Sequence, residues 1–486
     1  MHQVLIVGAG PVGLTLAAEL ARYGVPVRII DRSSHPTETS KALVVWSRTI
    51  ELMDRMGCTP AFLRAGLQAR GASIRNGRTV LGHTGFDTIA SPYNFALMLP
   101  QCDTERLLDA HLRTFGVTVE REVELLAFSQ GPSGVEARLR CADGQEEEVE
   151  TAWLAGCDGA HSTVRHGLGL AFSGVAQADD WMLADVRLEG DGAPPADEIA
   201  TFLHRDGPFV AFPIPGGRSR IVATTGKTVA GQSRPDPTLA EVQAMADERA
   251  GGGFRVTDPV WLANFRINER KVSDYAQGRV FLAGDAAHVH SPAGGQGMNT
   301  GMQDAINLAW KLAMVVRGEA LPGLLDSYTP ERSAVGDMVL RNASRMTDMG
   351  TLAHPAAQAA RNLALRFMLG FHAVQERMAA TMSEVEIAYA KSPLSAGHGA
   401  GDRLPPQQYD GSPPGSGTAP RFVLFSADKE AGAALAARFP GVLEAAPRTP
   451  PDAHSLLIVR PDGYVGLSAR GHGWAEAENY LSLLAA

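Results

Sequence analysis

Three glycines follow the first apolar segment of the chain at a spacing that suits phosphate binding. Gly8, Gly10 and Gly13 come directly after Val4–Val7, and the residues beyond them have helical periodicity. In a strand–turn–helix unit the first glycine makes the turn, the second lets backbone N–H groups approach a pyrophosphate, and the third lets the helix pack on the strand. The positive end of the helix adds attraction for an anion. The motif therefore predicts a dinucleotide site.

An acidic residue at the end of the next predicted strand completes this pattern. Asp31 follows the apolar residues 26–30, where a carboxylate can accept hydrogen bonds from an adenosine ribose. Pro11 and Val12, inside the glycine motif, and Arg32, after the acid, are assigned to the same site. A glycine-rich turn without a ligand would leave Asp31 unexplained. The pattern does not by itself distinguish NAD from FAD.

Two later segments make the dinucleotide recognisable. The first is 156–165, in which Asp158 precedes a glycine, and the second is an apolar stretch that ends in Gly284 and Asp285 and leads into the glycine-rich residues 291–299. With the first motif, they resemble the dinucleotide fingerprint, the DG motif and the GD motif of the FAD-dependent aromatic hydroxylases, the class A flavoprotein monooxygenases of the p-hydroxybenzoate hydroxylase type. All three occur in the family's order.

The resemblance gives these segments their roles. The DG aspartate of the family helps to hold the FAD diphosphate, which assigns Asp158 to that contact, and Asp285 would accept a hydrogen bond from a ribityl hydroxyl. The glycine-rich segment 292–299 would lie beside the isoalloxazine, with its N–H groups facing the ring where negative charge collects on reduction. For Arg165, which ends the DG motif, a salt bridge to a neighbouring acid is an equally good interpretation.

Three further positions are assigned by similarity. Gln101 matches a glutamine that contacts the ribityl region in relatives, Val123 would offer its backbone to adenine, and Lys41 stands where many relatives have a diphosphate-binding arginine. A lysine keeps the positive charge, but it cannot form the two parallel hydrogen bonds that a guanidinium donates to a phosphate. The complete set expected to bind the cofactor is Gly8, Gly10, Pro11, Val12, Gly13, Asp31, Arg32, Lys41, Gln101, Val123, Asp158, Gly284, Asp285, Pro292, Gly294, Gly295, Gly297, Met298 and Asn299.

The activity implied by the resemblance is an FAD- and NAD(P)H-dependent monooxygenation of a phenolic or polycyclic, polyketide-like aromatic ring. NAD(P)H, the co-substrate, would reduce the FAD, O₂ would add at flavin C4a to give a hydroperoxide, and its distal oxygen would pass to the ring. No side chain is assigned a catalytic role, because the cofactor does this chemistry while the protein aligns the ring and excludes water.

Three other functions stay open at this point. The same scaffold can perform a Baeyer–Villiger insertion, an FAD-dependent reductase or dehydrogenase would transfer no oxygen, and an FAD-binding sensor or assembly protein would have no activity. Product analysis, labelling from ¹⁸O₂ and substrate-stimulated NAD(P)H oxidation distinguish these possibilities.

The elements that must position the motifs fit an α/β fold. We expect a Rossmann-like FAD-binding domain with packing helices (1–174 and 277–395) and an inserted antiparallel β-sheet substrate domain (175–276). Residues 400–486 resemble the thioredoxin-like α/β domain of the phenol hydroxylase and aromatic polyketide hydroxylase branch, notably in 400–405 and 457–465. This last domain contains no cysteine, so it lacks the CxxC pair that dithiol chemistry requires.

Helical periodicity marks the region between the motifs and the last domain. Residues 302–316 and about 356–391 have apolar side chains at intervals of three and four, among them Leu363, Phe367 and Phe371. Such spacing is typical of an amphipathic helix with one buried face. We therefore expect these segments to be packing helices.

Composition excludes several classes of protein. The 486 residues carry 44 basic and 53 acidic side chains, a net charge of −9, without the basic cluster that a nucleic-acid-binding protein needs. The chain has neither a signal-peptide pattern nor an apolar run of membrane-spanning length. Its four cysteines lack the spacing of a disulfide framework, which favours a cytoplasmic protein. We expect no nucleic acid or membrane partner; a homodimer is left open.

Some apparent chemical motifs have simpler interpretations. His288 and His290 lie two residues apart, but no third ligand is near them in the sequence, so we expect no metal site. No GxSxG elbow supports a hydrolase, and the six tryptophans are never two residues apart, unlike the paired tryptophans of flavin-dependent halogenases. The expected small-molecule partners are an aromatic substrate and O₂.

Overall fold

A computed structural model describes residues 2–38, 42–227, 234–352 and 354–486. Lys41, one of the expected cofactor ligands, lies outside these residues. The α-helices of the described chain are Pro11–Arg22, Ser47–Met56, Thr59–Ala65, Gln101–Arg113, Thr163–Gly167, Leu239–Arg249, Gly297–Val316, Tyr328–Gly350, Pro355–Met368, His372–Met382, Lys429–Arg438 and Trp474–Leu484. Short 3-10 helices cover Gly284–Ala286, Pro322–Ser327 and Pro406–Gln408.

A mainly parallel sheet forms the centre of the first unit. Its strands lie in the order Ala276–Gln277, Val280–Leu282, Trp153–Gly156, Val4–Val7, Val27–Asp31 and Glu120–Arg121. Val7 pairs with Gly156 on one side and with Ile30 on the other, and Gly156 pairs with Leu282. Four strands therefore end at the same level. Because the chain runs outward in both directions from Val4–Val7, this edge is the topological switch point at which open α/β sheets bind ligands.

Two small antiparallel sheets flank this centre. The strands Glu124–Gln130, Val135–Arg140 and Glu146–Thr151 form one of them, and the last two strands are joined as a hairpin. The other joins Val44–Val45, Ala96–Met98 and Leu67–Ala69.

A large, mainly antiparallel sheet forms the second layer. Its order is His288–Val289, Arg255–Lys271, Ser173–Glu189, Arg218–Lys227, Phe209–Ile214, Glu198–Phe202, Gly71–Asn76 and Thr79–Gly85. Phe209–Ile214 and Arg218–Lys227 form a hairpin in which Phe209 pairs with Ala223. Strands from before and after the inserted segment also join the sheet, and Gly71–Asn76 pairs in parallel with Glu198–Phe202. Sequence periodicity within 175–276 did not predict this extension, because pairing between distant strands leaves no local pattern.

The predicted packing of the later helices is partly wrong. Helices do form at Pro355–Met368 and His372–Met382, but Leu363, Phe367 and Phe371 are exposed. The buried side of the first of these helices is instead formed by residues such as Leu365. Spacing identifies an apolar helix face, but it does not show whether another part of the chain covers that face.

The C-terminal unit combines a small sheet with two helices. Val423–Phe425, Ser455–Val459 and Val465–Arg470 form an antiparallel sheet, with helices Lys429–Arg438 and Trp474–Leu484 beside it. The fold is α/β, as expected; the more specific thioredoxin-like assignment stays a prediction. Residues 460–464 of this unit insert between the helices of the first unit, where Arg460 is fully buried.

Candidate functional site

The turn after the first strand shows a separate reason for each motif glycine. A Cβ on Gly8, whose φ is +101°, would overlap the Cys157 carbonyl, and a Cβ on Gly13 would overlap the Gly8 carbonyl. Gly10 differs, because its φ of −75° suits any residue and a Cβ there would meet no atom of the described residues within 4 Å. Internal packing therefore explains Gly8 and Gly13, whereas Gly10 faces open space.

The helix that follows this turn presents unpaired N–H groups to that space. It begins with Pro11, has no side-chain cap at Gly10 and carries no acid in its first turn. The first N–H groups of a helix have no partner within the helix, and the helix dipole makes this end positive. An anion is the ligand that this helix end favours.

Asp31 lies beside the glycine turn, as the sequence predicted. Its Oδ2 accepts a hydrogen bond from the Ala9 N–H at 2.7 Å, and its Oδ1 accepts one from the Ser33 N–H at 2.8 Å. Arg121 approaches the same carboxylate at 3.8 Å. A carboxylate can accept about four hydrogen bonds, so Asp31 keeps capacity for a ribose hydroxyl. Arg32, next to it, is exposed.

The DG segment lies directly behind the glycine turn. Asp158 Oδ2 accepts a hydrogen bond from the Val164 N–H at 3.2 Å, while its Oδ1 is buried without a partner among the described residues. Burial raises the pKa of this carboxyl. Ser162 caps the short helix by accepting a hydrogen bond from the Arg165 N–H at 2.9 Å.

Arg165 is held by backbone carbonyls rather than by a neighbouring acid. Its guanidinium donates to the carbonyl of Ala286 at 3.1 Å and to that of Ala160 at 2.9 Å, and it stacks on Phe172. No salt bridge to an acid is found among the described residues. Arg165 therefore connects the DG segment to the GD segment.

The GD segment is held in place by a buried aspartate that sequence reasoning missed. Asp304 accepts hydrogen bonds from the Gly284 N–H at 3.0 Å and from His288 Nε2 at 2.7 Å, and it pairs with Arg332 at 2.6 Å. His288 is thus engaged by a carboxylate. Asp285, between these fixed points, is exposed at the sheet edge.

The glycine-rich segment 292–299 is fixed from the opposite side by Trp46. The indole N–H donates to the Gly294 carbonyl at 2.9 Å, and the Asn299 side chain accepts from the Trp46 N–H and donates to the carbonyls of Val44 and Gly295. Both N–H donors of the Asn299 side chain are therefore used within the protein. A hydrogen bond that Asn299 donates to a ligand has to come from its backbone N–H, in the first turn of Gly297–Val316.

A second buried polar atom lacks a partner beside this segment. His290 Nδ1 donates to the Ser291 carbonyl at 2.8 Å, and its Nε2 has no partner among the described residues. Burial lowers the pKa of His290 to about 4, so the ring is neutral and Nε2 is an acceptor. Like Asp158 Oδ1, this atom fits a site that a ligand completes.

The two remaining predicted positions, Gln101 and Val123, each donate one hydrogen bond to a residue of the protein. Gln101 begins the helix Gln101–Arg113 and donates to Glu105 at 2.9 Å. The Val123 N–H donates to the Asp31 carbonyl at 3.0 Å. The expected contact between Val123 and adenine stays a prediction, and the Val123 carbonyl would accept the hydrogen bond.

Arg220 is a buried cation that the sequence analysis did not select. It pairs with Asp185 through two hydrogen bonds of 2.8 and 2.7 Å and also donates to the Ala42 carbonyl. It therefore joins the large sheet to the segment before Val44. Its position in a strand, directly before Ile221, was the available signal, since an arginine beside apolar strand residues often has a buried partner.

The described arrangement brings the motif segments to one edge of the parallel sheet. That edge combines a glycine turn, two helix N-termini without acids in their first turns, and two buried side-chain atoms, Asp158 Oδ1 and His290 Nε2, that lack a partner among the described residues. These features fit a long ligand with a central diphosphate, which is the form of FAD.

Comparison with known proteins decides the family. Residues 1–343 match the model of a family described as an FAD binding domain. The chain belongs to this FAD-dependent monooxygenase family. It is 41% identical over 406 residues to 6-methylpretetramide 4-monooxygenase of Streptomyces rimosus, covering 82% of this chain and 72% of that protein. It is 34% identical over 431 residues to pentachlorophenol 4-monooxygenase of Sphingobium chlorophenolicum, covering 87% and 77%.

Solved structures agree over the full length of this monooxygenase. The anhydrotetracycline hydroxylase OxyS from Streptomyces rimosus superposes with a TM-score of 0.80 at 31% identity, covering 100% of both chains. The expected FAD cofactor and aromatic monooxygenase class are thereby confirmed, and an NAD(P)H co-substrate is typical of this family. Among the described residues, no helix has the length and hydrophobicity needed to cross a bilayer.

Proposed function

We propose that this monooxygenase hydroxylates a phenolic ring of a polycyclic, polyketide-like compound. The observation that carries the proposal is the 41% identity to a relative that is named for a polycyclic pretetramide. Relatives named for pentachlorophenol and rifampicin, each 34% identical, make an aromatic ring the shared feature of the substrates. No observation favours a Baeyer–Villiger insertion or a reductase.

We also propose how the described residues hold FAD. The pyrophosphate lies over Gly10 at the start of Pro11–Arg22, the adenosine ribose is bound by Asp31, and the ribityl chain and ring lie along Asp285 and the segment 292–299. This placement is supported by the open space at Gly10 and by the unpartnered Asp158 Oδ1. Bound FAD supplies the oxygen-activating chemistry once NAD(P)H has reduced it.

The protein's own contribution is to exclude water and orient the ring. Trp46, Met98, Phe212 and Ile214 belong to one apolar cluster that joins the large sheet to the region beside segment 292–299. Apolar walls of this kind keep water from the reacting atoms and let a planar ring stack in a fixed position. We propose that the substrate enters next to this cluster.

A variant of the GD aspartate tests the cofactor placement. Asp285→Ala is expected to weaken FAD binding by roughly ten- to 150-fold, since a hydrogen bond to a charged group contributes roughly 1.5–3 kcal/mol. The fold should survive because the side chain is exposed. Asp326→Ala is the matched control, since it also removes an exposed aspartate from a short 3-10 helix. Unchanged flavin affinity in Asp285→Ala, measured by fluorescence titration, would refute the contact.

A substrate screen tests the proposed function. The FAD-loaded enzyme is mixed with simple phenols, polycyclic phenols and quinones, and NAD(P)H oxidation is followed together with the mass of the product. We expect polycyclic phenols to stimulate oxidation and to gain a ring hydroxyl. Stimulation by simple phenols alone would contradict the substrate class, and formation of a ring-inserted lactone would contradict hydroxylation.

Three expectations stay predictions. The domain bounds 1–174, 175–276, 277–395 and 400–486 can be tested by limited proteolysis, and a homodimer by sedimentation. A cytoplasmic location is consistent with the four cysteines, which are all free in the described structure, since a reducing compartment keeps thiols unpaired.

A further inference from the structure

Glu384 is a buried acid in an unusual backbone conformation close to the glycine-rich segment. It follows the helix His372–Met382, is 2% exposed and has a φ of +62°, a region that residues other than glycine seldom occupy. Such strain persists where surrounding contacts determine the conformation, and it is frequent at functional sites. The family motifs do not include this residue.

The turn that contains Glu384 contacts the first turn of the helix Gly297–Val316 at several points. Gln296, which precedes that helix, donates from its side-chain amide to the carbonyls of Thr381 at 3.0 Å and Met382 at 3.4 Å. The Glu384 carboxyl contacts Thr300 Oγ1 at 3.0 Å and Gln303 Nε2 at 2.5 Å. Main chain and side chain of the turn thus hold the same helix end.

The Thr300 hydroxyl links the Glu384 carboxyl to the turn before the helix Gly297–Val316. Thr300 Oγ1 lies 3.0 Å from the Gln296 carbonyl and 3.0 Å from Glu384 Oε1, but a hydroxyl has one proton to donate. The Gln296 carbonyl also accepts the Thr300 backbone N–H at 2.8 Å, so it keeps a hydrogen bond whichever acceptor the hydroxyl chooses. Ionisation would draw the Thr300 hydroxyl toward the carboxylate, whereas a protonated carboxyl donates to Thr300 while Thr300 donates to Gln296, which forms a continuous chain from Glu384 to the helix end.

The charges around Glu384 agree with this state. On the helix Tyr328–Gly350, Arg332 is paired with Asp304 of the helix Gly297–Val316, and on Ser47–Met56, Arg48 is paired with Glu51. Among the described residues, no ion pair includes Glu384. An ionised carboxylate here would be buried without a counter-ion, which is costly. Burial raises the pKa of Glu384 to about 8.

We propose that Glu384 is a positioning residue that, in its protonated form, sets the first turn of the helix Gly297–Val316 against FAD through Thr300 and Gln296, and that its ionisation loosens this turn. The inference concerns cofactor binding and is independent of the substrate. The segment 292–299 is expected to bind the cofactor most firmly while the proton is present.

Glu384→Gln separates this role from simple packing, because it keeps the shape and removes the titration. FAD affinity of the wild type should fall about tenfold between about pH 6 and about pH 9.5, a range that brackets the pKa and is typical in size for coupled sites. The FAD affinity of Glu384→Gln should stay constant over this pH range. Glu376→Gln is the control, because it removes an exposed carboxylate from the preceding helix and should keep the pH dependence of the wild type.

Thermal unfolding of the FAD-free protein gives a second readout. Because the pKa of Glu384 in the folded state lies above the ordinary glutamate value of 4.5, the native state keeps a proton that the unfolded chain has lost. Native stability from this group is therefore full at low pH and is lost as the pH rises toward about 8. The melting temperature of the wild type should fall relative to that of Glu384→Gln over this window. Parallel curves for the two proteins, in both readouts, would overturn the proposal.

Thr300 variants keep the test decisive if Glu384→Gln does not fold. Thr300→Ala breaks the hydrogen-bonded chain while leaving the carboxyl in place, so FAD affinity should lose its pH dependence while the melting temperature keeps it. Thr300→Ser, which retains the hydroxyl, should restore the wild-type profile of FAD affinity. An unaltered pH dependence of affinity in Thr300→Ala would show that Glu384 does not act through Thr300.

Discussion

Replacing Gly10 by alanine is expected to lower FAD affinity about 100-fold or more, equivalent to roughly 2.8 kcal/mol, while the fold remains intact. The backbone of Gly10 suits alanine, and the added methyl group would meet no atom of the described residues within 4 Å. It would instead occupy the space that we assign to the pyrophosphate. Fluorescence titration with FAD and the melting temperature of the FAD-free protein measure the two effects separately.

Two other glycine variants provide controls for this result. Gly131→Ala also adds a methyl group at an exposed position with no neighbouring atom, and it should leave FAD affinity unchanged. Gly13→Ala should destabilise the FAD-free protein, because its Cβ would overlap the Gly8 carbonyl. Wild-type FAD affinity in Gly10→Ala would place the pyrophosphate elsewhere.

Removal of the Arg460 side chain is expected to have the largest effect on stability. Arg460 comes from the C-terminal unit and is fully buried between Glu331, at 2.6 and 2.9 Å, and Asp462, at 2.6 Å. Lys311 approaches the same Glu331 carboxylate at 2.7 Å. Arg460→Ala leaves two buried carboxylates with one remaining cation, and loss of one partner from such a cluster costs about 3–5 kcal/mol. Denaturant unfolding measures this loss.

An exposed arginine of the same unit is the control. Arg438 pairs with Glu478 on the surface, and exposed ion pairs contribute little to stability because water screens them, so Arg438→Ala should leave the free energy of unfolding nearly unchanged. An equally small loss in Arg460→Ala would mean that the buried cluster does not hold the C-terminal unit against the helices Gly297–Val316 and Tyr328–Gly350.

The cofactor motifs were predictable from the sequence because their physical requirements are local. A glycine turn, the helix after it and an acid at the next strand end each follow from a few consecutive residues, and Gly8, Asp31 and Asp158 lie together as expected. The strand order then brings these local motifs to one edge, since parallel strands end at the same level.

The sequence contains no comparable signal for contacts between residues that are far apart in the chain. Trp46 binds Gly294 and Asn299, and Asp304 binds Gly284, through pairings that no spacing in the sequence marks. The exposed Leu363 shows the opposite failure, in which an apolar spacing predicted burial that the fold does not provide. Local pattern identifies an element and its apolar face, whereas the neighbour of that face is set by the whole fold.

Oxygen transfer to a ring carbon is tested most directly by isotopic labelling. The FAD-loaded enzyme is supplied with NAD(P)H and the most stimulating polycyclic phenol under ¹⁸O₂, and the product is examined by mass spectrometry and by the position of the new oxygen. Our account predicts one atom of ¹⁸O in a hydroxyl on an aromatic carbon. A product without the label, or one with the label inserted into the ring as a lactone, would contradict it.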